Sequence, residues 1–275
     1  MKAKLPTHLL DESSETAVLF IHGLGGGYST WNKFSSKLHS IWTEKDAFSL
    51  EYDNYYNSRI NIPGYTFLIK SIFGKSIDDL ATHLNSIIET VCEKYKHIIL
   101  VCHSMGGLVA RKYIINRLKD EKNIGKIRAL ITYATPHKGS SWANLAKAIT
   151  HTPSSLFSFN YFKAFIQIKD LSRDSDFIKS LNEDWNNLNV NSKLDFHRVV
   201  GLADPIVSPE SAEYERDKFS HSFADRNHFT IIKPYKDIKD GALMVTYNYL
   251  KKFNEKNEFK ELLEEDYSEE DEFEY

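Results

Sequence analysis

Short apolar runs alternate with amphipathic stretches along most of the chain. From Ser76 onward, apolar residues recur at spacings of three and four, which is typical of one face of a helix. The run His97–His103 is apolar almost throughout, as expected of a strand buried in a parallel sheet. The same criteria predict strands at Ala17–Gly23, Asp46–Tyr52, Ile127–Pro136 and Leu194–Leu202, and helices at Tyr28–Trp42, Gly106–Leu118 and Gly241–Phe253. This alternation predicts an α/β fold with a mostly parallel central sheet and helices on both faces.

One segment, residues 141–191, breaks the alternation. It contains no good strand and is too long for a plain loop in a compact domain. Ordinary helices that complete the fold would explain it, but we favour a helical cap or lid over a functional site. Its aromatic run Phe157–Phe165 is typical of core; in a cap, it would line an apolar pocket or meet a lipid interface.

Composition and charge divide the chain into a body and a tail. The chain has 275 residues, 41% of them hydrophobic, which suffices for one large domain that we assign to residues 1–253. Residues 254–275 carry eleven acidic side chains and two lysines, which is typical of a disordered, solvated tail. A docking tail for a basic partner is the alternative. The net charge of −3 gives no basic signature, so we expect no nucleic-acid partner.

The N-terminal region and the cysteines bear on location. The first residues lack the apolar core of a signal peptide, and no window approaches the apolar length of a membrane helix. Cys92 and Cys102 are the only cysteines, which is no disulfide framework. We therefore expect a reduced, cytoplasmic protein.

The stretch "VCHSMGGLVAR" (101–111) places a serine between a predicted strand and a predicted helix. A sharp turn there would expose the hydroxyl of Ser104, and the helix N-terminus would help to stabilise an oxyanion. Gly106 and Gly107 meet the need for small residues after such a turn. Cys102 is bulkier than the glycine of the usual Gly-x-Ser-x-Gly pattern, so we expect it to perturb the turn without abolishing it. A buried serine that caps the helix is the alternative.

A glycine-rich segment, "FIHGLGGG" (20–27), ends the first predicted strand. A His-Gly pair at this point lets the next amide point into the site, which would make Leu24 and Met105 the two oxyanion donors. A phosphate-binding loop is the alternative. The segment lacks both the Gly-Lys-Ser/Thr of a P-loop and a Gly-x-Gly-x-x-Gly spacing.

Chain order predicts the partners of Ser104, because an acid and then a histidine follow the serine on this fold. Asp204 lies in the loop after a predicted strand, and His228 lies close to the C-terminal helix. Asp204 would hold the tautomer of the imidazole, while His228 would take the proton from Ser104 and return it to the leaving group. The rival acids are Asp225, Glu210 and Asp237, of which Asp225 is too close to His228 in sequence for a partner arriving from another strand.

The other histidines near these motifs have structural interpretations. His103 precedes the serine, His22 lies in the predicted oxyanion loop, and His137 follows a strand and would order a loop near the site. No cluster of His, Cys and Asp has metal-ligand spacing, so we expect neither a metal nor another cofactor.

Five segments carry a family resemblance, namely "VLFIHGLGG", "VCHSMGGLVAR", "ITYATPHKGS", "GLADPIVSPESAE" and "NHFTIIKP". The chain resembles the α/β-hydrolase superfamily, and within it the lipase-like serine esterases related to GPI inositol-deacylases and to mitochondrial serine-active-site proteins. The resemblance implies hydrolysis of carboxylic esters, often of lipids or acyl chains, without a cofactor. It carries catalytic roles onto Ser104, Asp204 and His228, and oxyanion roles onto Leu24 and Met105.

We therefore predict a serine hydrolase that cleaves a small-molecule or lipid ester through an acyl-enzyme. A membrane-surface contact through the cap would accompany a lipid substrate. A thioesterase or protein deacylase is the near alternative, since the same machinery cleaves thioesters, and an acyltransferase would result if an alcohol outcompeted water. A non-catalytic interaction module that uses the cap and the tail is the alternative from another class.

Overall fold

The computed structural model describes residues 15–24, 30–45, 51–53, 76–141, 171–173, 175–235 and 240–270. The strands within these ranges are β1 (Thr16–Ile21), β2 (Glu51–Asp53), β3 (His97–His103), β4 (Ile127–Tyr133), β5 (Asp195–Gly201) and β6 (Ser220–Phe223). The helices are α1 (Asn32–Lys45), α2 (Ile77–Thr90), α3 (Met105–Asp120), α4 (Asp176–Asn187), α5 (Pro209–Glu213) and α6 (Gly241–Glu270).

The strands form one parallel sheet in the order β2-β1-β3-β4-β5-β6. Side chains of β3 alternate between two hydrophobic clusters, with Leu100 and Cys102 in one and Ile99 and Val101 in the other. Helices α2, α3 and α4 contribute to the first cluster, and α1 and α6 to the second. The predicted α/β architecture, a parallel sheet covered on both faces, is confirmed.

The parallel arrangement determines where a site can form. The carboxyl ends of β1, β3, β4 and β5 meet at one edge of the sheet, and the loops that leave them carry the residues singled out in the sequence. Such an edge is where open α/β sheets bind ligands. Helix α2 begins where its apolar periodicity begins, because Ser76 and Asp79 cap its first turn reciprocally.

Several described elements differ from the sequence expectation. The short helix α5 was not predicted, and β2 begins later than the predicted strand Asp46–Tyr52. Strand β6 was not predicted, because its four residues "SHSF" are too short and polar for a periodic signal. Helix α6 continues to Glu270, so residues 254–270 are helical where a disordered tail was expected. The tail is rich in Glu, which is a good helix former, and it extends a helix that already packs on the sheet.

The predicted cap falls largely outside the described residues. Of the segment 141–191, residues 142–170 and 174 are not described, and the described part contains α4 and a single turn of 3₁₀ helix, Val190–Ser192. The cap and the division into a body and a tail therefore stay predictions. No helix within the described ranges combines the length and the apolar character needed to cross a membrane.

Candidate active site

Ser104 lies on the turn between β3 and α3, at the carboxyl edge of the sheet. Its φ of 54° and ψ of −129° are unusual for a residue with a side chain and indicate a strained turn. Main-chain bonds hold it there, since its N–H donates to the Tyr133 carbonyl (2.9 Å) and its carbonyl accepts from the Gly107 N–H (3.1 Å). The Ser104 side chain makes no capping hydrogen bond to the amides of the described helix α3, which argues against a capping serine.

Gly23 brings the loop after β1 against this turn. A Cβ on Gly23 would lie 2.5 Å from Ser104 Cβ and 3.1 Å from Ser104 Oγ, so only glycine allows this approach. Leu24 directly follows Gly23, and Met105 directly follows the serine as the first residue of α3. Leu24 therefore follows a residue that packs against Ser104, and Met105 follows Ser104 itself. Met105 has one of the helix N-terminal amides that lack an intrahelical partner. Residues 25–29 lie outside the described ranges.

Ser104, His228 and Asp204 lie within hydrogen-bonding distance in that order. His228 Nε2 is 3.0 Å from Ser104 Oγ, and His228 Nδ1 is 2.8 Å from Asp204 Oδ2. Asp204 Oδ1 accepts from the amides of Ile206 (2.8 Å) and Val207 (2.9 Å), which fix the carboxylate. An ionised carboxylate can only accept, so His228 Nδ1 carries the hydrogen and Nε2 is left to accept from the serine hydroxyl. The histidine and aspartate side chains are 3% and 1% exposed, so bulk water does not compete for their hydrogen bond.

Asp225 and Glu210, two of the rival acids, have other partners. Asp225 is exposed and accepts a hydrogen bond from the Tyr235 hydroxyl (2.8 Å). Glu210 is also exposed and lies 4.0 Å from the Lys138 ammonium, and Asp237 is outside the described residues. Among the described residues, no group of three or more His, Cys, Asp or Glu side chains is arranged to hold a metal ion.

The loop after β4, residues 135–140, touches both sides of this arrangement. Thr135 Oγ1 donates to the carbonyl of Ser104 (2.9 Å). Ser140 Oγ donates to the carbonyl of Ile206, whose own amide holds the carboxylate. The β4 loop therefore connects the backbone of the serine with the segment that positions the acid.

The buried guanidinium of Arg111 contacts His137 in the β4 loop. Arg111 Nη1 lies 3.3 Å from His137 Nδ1, and His137 Nε2 lies 3.1 Å from Thr132 Oγ1. Arginine can only donate, so Nδ1 accepts and Nε2 carries the hydrogen. Burial and then the neighbouring guanidinium lower the pKa of His137 well below its ordinary value, so the ring is neutral. The guanidinium lies between the rings of Trp185 (4.6 Å) and Tyr214 (4.7 Å), which stabilise its charge by cation–π contacts.

The segment that carries His228 is anchored by a buried ion pair. Arg226 pairs with Asp240, and their side chains are 3% and 2% exposed. The same guanidinium donates to the carbonyls of Thr230 (2.8 Å) and Lys233 (3.0 Å), which closes the segment into a compact loop. Asp240 also accepts from an amide of the first turn of α6, so the loop is attached directly to that helix.

Comparison with known protein families identifies the family of this chain. A family model described as the PGAP1-like alpha/beta domain matches residues 12–250, which include Ser104, Asp204 and His228. The chain belongs to this family. The match spans every described strand and all the loops of the carboxyl edge described above.

Curated relatives of this PGAP1-like domain match it over part of their length. Protein SERAC1 of Danio rerio is 26% identical over 218 residues, which cover 69% of this chain and 30% of SERAC1. The GPI inositol-deacylase of Schizosaccharomyces pombe is 25% identical over 151 residues, which cover 46% of this chain and 13% of the deacylase. The chain thus spans less than a third of the length of these relatives.

A solved structure matches the PGAP1-like domain almost from end to end. An alpha/beta hydrolase enzyme from the metagenome of sediments from the lagoon of Mar Chica, Morocco, has a TM-score of 0.52 at 17% identity, covering 94% of this chain and 93% of that chain. At this identity the likeness concerns the fold. It confirms the predicted α/β-hydrolase fold.

Sequence reasoning missed the residues that hold the site from behind. Thr135, Ser140 and the Arg226–Asp240 pair have no place in the serine motif. The contacts of Thr135 and Ser140 join segments that are 31 and 66 residues apart in the chain. The available signal was the "TPHKGS" segment, which was distinctive without having an assigned role.

Proposed function

We propose that this PGAP1-like domain is a serine hydrolase that cleaves carboxylic esters of lipids or acyl chains through a Ser104–His228–Asp204 triad. The observation that carries the proposal is the 3.0 Å contact between Ser104 Oγ and His228 Nε2, made by a serine at a φ of 54°. A nucleophile on a strained strand-to-helix turn with a base in reach is the arrangement that acyl transfer requires. Membership of a hydrolase family supports it.

In the proposed acylation step, Ser104 Oγ attacks the carbonyl carbon of the ester while His228 Nε2 takes the hydroxyl proton. The oxygen of the tetrahedral intermediate is stabilised by the amides of Leu24 and Met105. As the intermediate collapses, the bond to the alcohol oxygen breaks and His228 donates the proton to the leaving alcohol. Asp204 stays ionised and stabilises the imidazolium through Nδ1–H.

Deacylation reverses these roles with water as the nucleophile. His228 takes a proton from the water, which attacks the acyl carbon, and the proton returns to Ser104 Oγ as the carboxylic acid is released. Water is the second substrate, and neither half of the proposed reaction involves a redox step.

The relatives suggest the substrate class. One of them is named a GPI inositol-deacylase, so the proposed substrate is a lipid whose acyl chain is held in an ester. Contact with a membrane surface belongs to the same proposal. The cytoplasmic location expected from the sequence stays a prediction.

The test is hydrolysis of p-nitrophenyl esters of increasing acyl length, beside matched thioesters. We expect turnover with an optimum above acetate. Asp204→Asn should lower kcat by about 10⁴-fold, because the imidazole loses the partner that fixes its tautomer. Asp225→Asn, which alters a neighbouring exposed carboxylate, is the control and should leave kcat unchanged. Thioester turnover far above ester turnover would change the assignment to a thioesterase, and equal effects of the two substitutions would contradict the proposed triad.

A further inference from the structure

His103 is a buried histidine beside the proposed nucleophile that the mechanism does not use. It ends β3, directly before Ser104, and the residue is 6% exposed. Its Nε2 lies 2.7 Å from the main-chain carbonyl oxygen of His228, a residue 125 positions later in the chain. A carbonyl can only accept, so Nε2 must carry the hydrogen and donate it.

The ring keeps this donor at working pH. Burial, and secondly the neighbouring His228, lower the pKa of His103 to about 3. The ring is therefore neutral at neutral pH. A neutral donor holds the carbonyl without adding a positive charge beside the imidazolium that forms during acyl transfer.

The packing around His103 limits its movement. The Trp31 ring meets it edge-on at 6.3 Å between centroids, and the His228 ring lies tilted against it at 5.0 Å. Two consecutive residues of one turn thus contact His228 at two atoms, Ser104 at Nε2 and His103 at the carbonyl oxygen. Both contacts start from the same backbone, so any shift of the His228 loop relative to β3 strains both.

We propose that His103 is a positioning residue, which holds the main chain of His228 so that its imidazole stays within hydrogen-bonding reach of Ser104. The role rests on the proposed function, because it matters only if His228 is the base for that serine. Arg226 anchors the same loop on the side of α6, so His103 supplies the complementary anchor on the side of the nucleophile.

Three substitutions separate the hydrogen bond from simple packing. His103→Gln keeps an N–H that reaches about as far as the histidine Nε2, His103→Asn has a donor that is too short, and His103→Leu has none. The readouts are the second-order rate of labelling by a fluorophosphonate, kcat and KM on the best ester, and the Tm. His97→Leu is the matched control, since that ring lies at the other end of β3 and contacts Arg128 (3.0 Å).

We expect His103→Leu and His103→Asn to lower the labelling rate and kcat by about 10- to 100-fold with KM within about twofold, as misplacement of a catalytic group does. His103→Gln should stay within about threefold of the wild type, and His97→Leu should match it. Leucine and asparagine variants that label as fast as the wild type would overturn the role, as would a folded glutamine variant that is as slow as they are. If His103→Leu does not fold, the comparison of glutamine with asparagine decides. A folded wild type that is never labelled would instead overturn the proposed function itself, and the role of His103 with it.

Discussion

At the residue scale, the site depends on where side chains are small. Gly23 has no room for a Cβ, which would lie 2.5 Å from Ser104 Cβ. We predict that Gly23→Ala lowers the rate of fluorophosphonate labelling by about 100-fold, because the serine or the loop must move. Gly125→Ala is the control for lost stability. Gly125 lies at the opposite edge of the sheet, and its φ of 59° strains an alanine there without touching Ser104. A Gly23→Ala variant as reactive as the wild type would show that this loop does not border the nucleophile.

Cys102 shows the opposite case, a larger side chain that the turn accepts. It points into the cluster under α2 and α3, and its side chain is fully buried. The tight approach is made instead by Gly106, where a Cβ would lie 2.6 Å from the carbonyl oxygen of His22. Burial also raises the pKa of the Cys102 thiol, which stays protonated and unreactive.

We therefore predict that Cys102→Gly changes stability rather than activity. Losing a buried side chain and gaining backbone freedom should lower the free energy of unfolding by about 1–3 kcal/mol. The labelling rate of the folded protein should stay within about threefold of the wild type. Urea unfolding and labelling on the same samples measure both, and a large gain in labelling rate would mean that Cys102 does strain the turn.

At the element scale, the β4 loop joins the parts of the site that the sheet delivers separately. Ser140 reaches the segment that holds Asp204, and Thr135 reaches the carbonyl of Ser104. Removing either hydroxyl leaves a carbonyl without that donor and lets its segment drift. The loop is therefore expected to affect the rate of reaction more than the binding of substrate.

We predict that Ser140→Ala lowers kcat by about tenfold with little change in KM. The matched control is Ser192→Ala, whose hydroxyl is exposed and donates to the nearby carbonyl of Asn189 (2.8 Å). Steady-state kinetics on one ester compare the two variants. Equal kcat values for the two variants would show that the hydrogen bond of Ser140 does not affect the reaction rate.

Local sequence patterns predicted the helices and strands better than they predicted the contacts between them. β3 was predicted with its observed bounds, because a buried parallel strand is apolar along its whole length. β6 was missed, since its pairing with β5 rather than its own composition makes it a strand. The residues of the proposed triad could be chosen from motif and chain order. His103 and Ser140 contact carbonyls that are distant in sequence, and no spacing rule shows such contacts.

At the scale of the whole molecule, buried neutral histidines link stability to pH. Burial is the main cause that lowers the pKa of His103 to about 3, of His197 to about 4 and of His137 well below 6.5. The unfolded chain binds protons at these rings below pH 6.5 and the folded chain does not. Stability from this source is therefore complete above pH 6.5 and declines as the pH falls toward the folded values.

We predict that the free energy of unfolding falls between pH 7.5 and pH 5.0, and that His197→Gln reduces this fall by about 2 kcal/mol. His197 is chosen because it packs against His221 and Tyr249, away from the triad. Urea unfolding at the two pH values measures the difference for each protein. An identical fall in both proteins would mean that folding does not lower the pKa of His197.

The central claim is that Ser104 is an activated nucleophile, and covalent labelling tests it most directly. The wild type and Ser104→Ala are treated with a fluorophosphonate, with and without detergent or lipid, and their intact masses are measured. The account predicts one adduct on the wild type and none on Ser104→Ala, because only a serine hydroxyl activated by His228 reacts at a useful rate. A folded wild type that stays unmodified under every condition, or an equal adduct on Ser104→Ala, would contradict it.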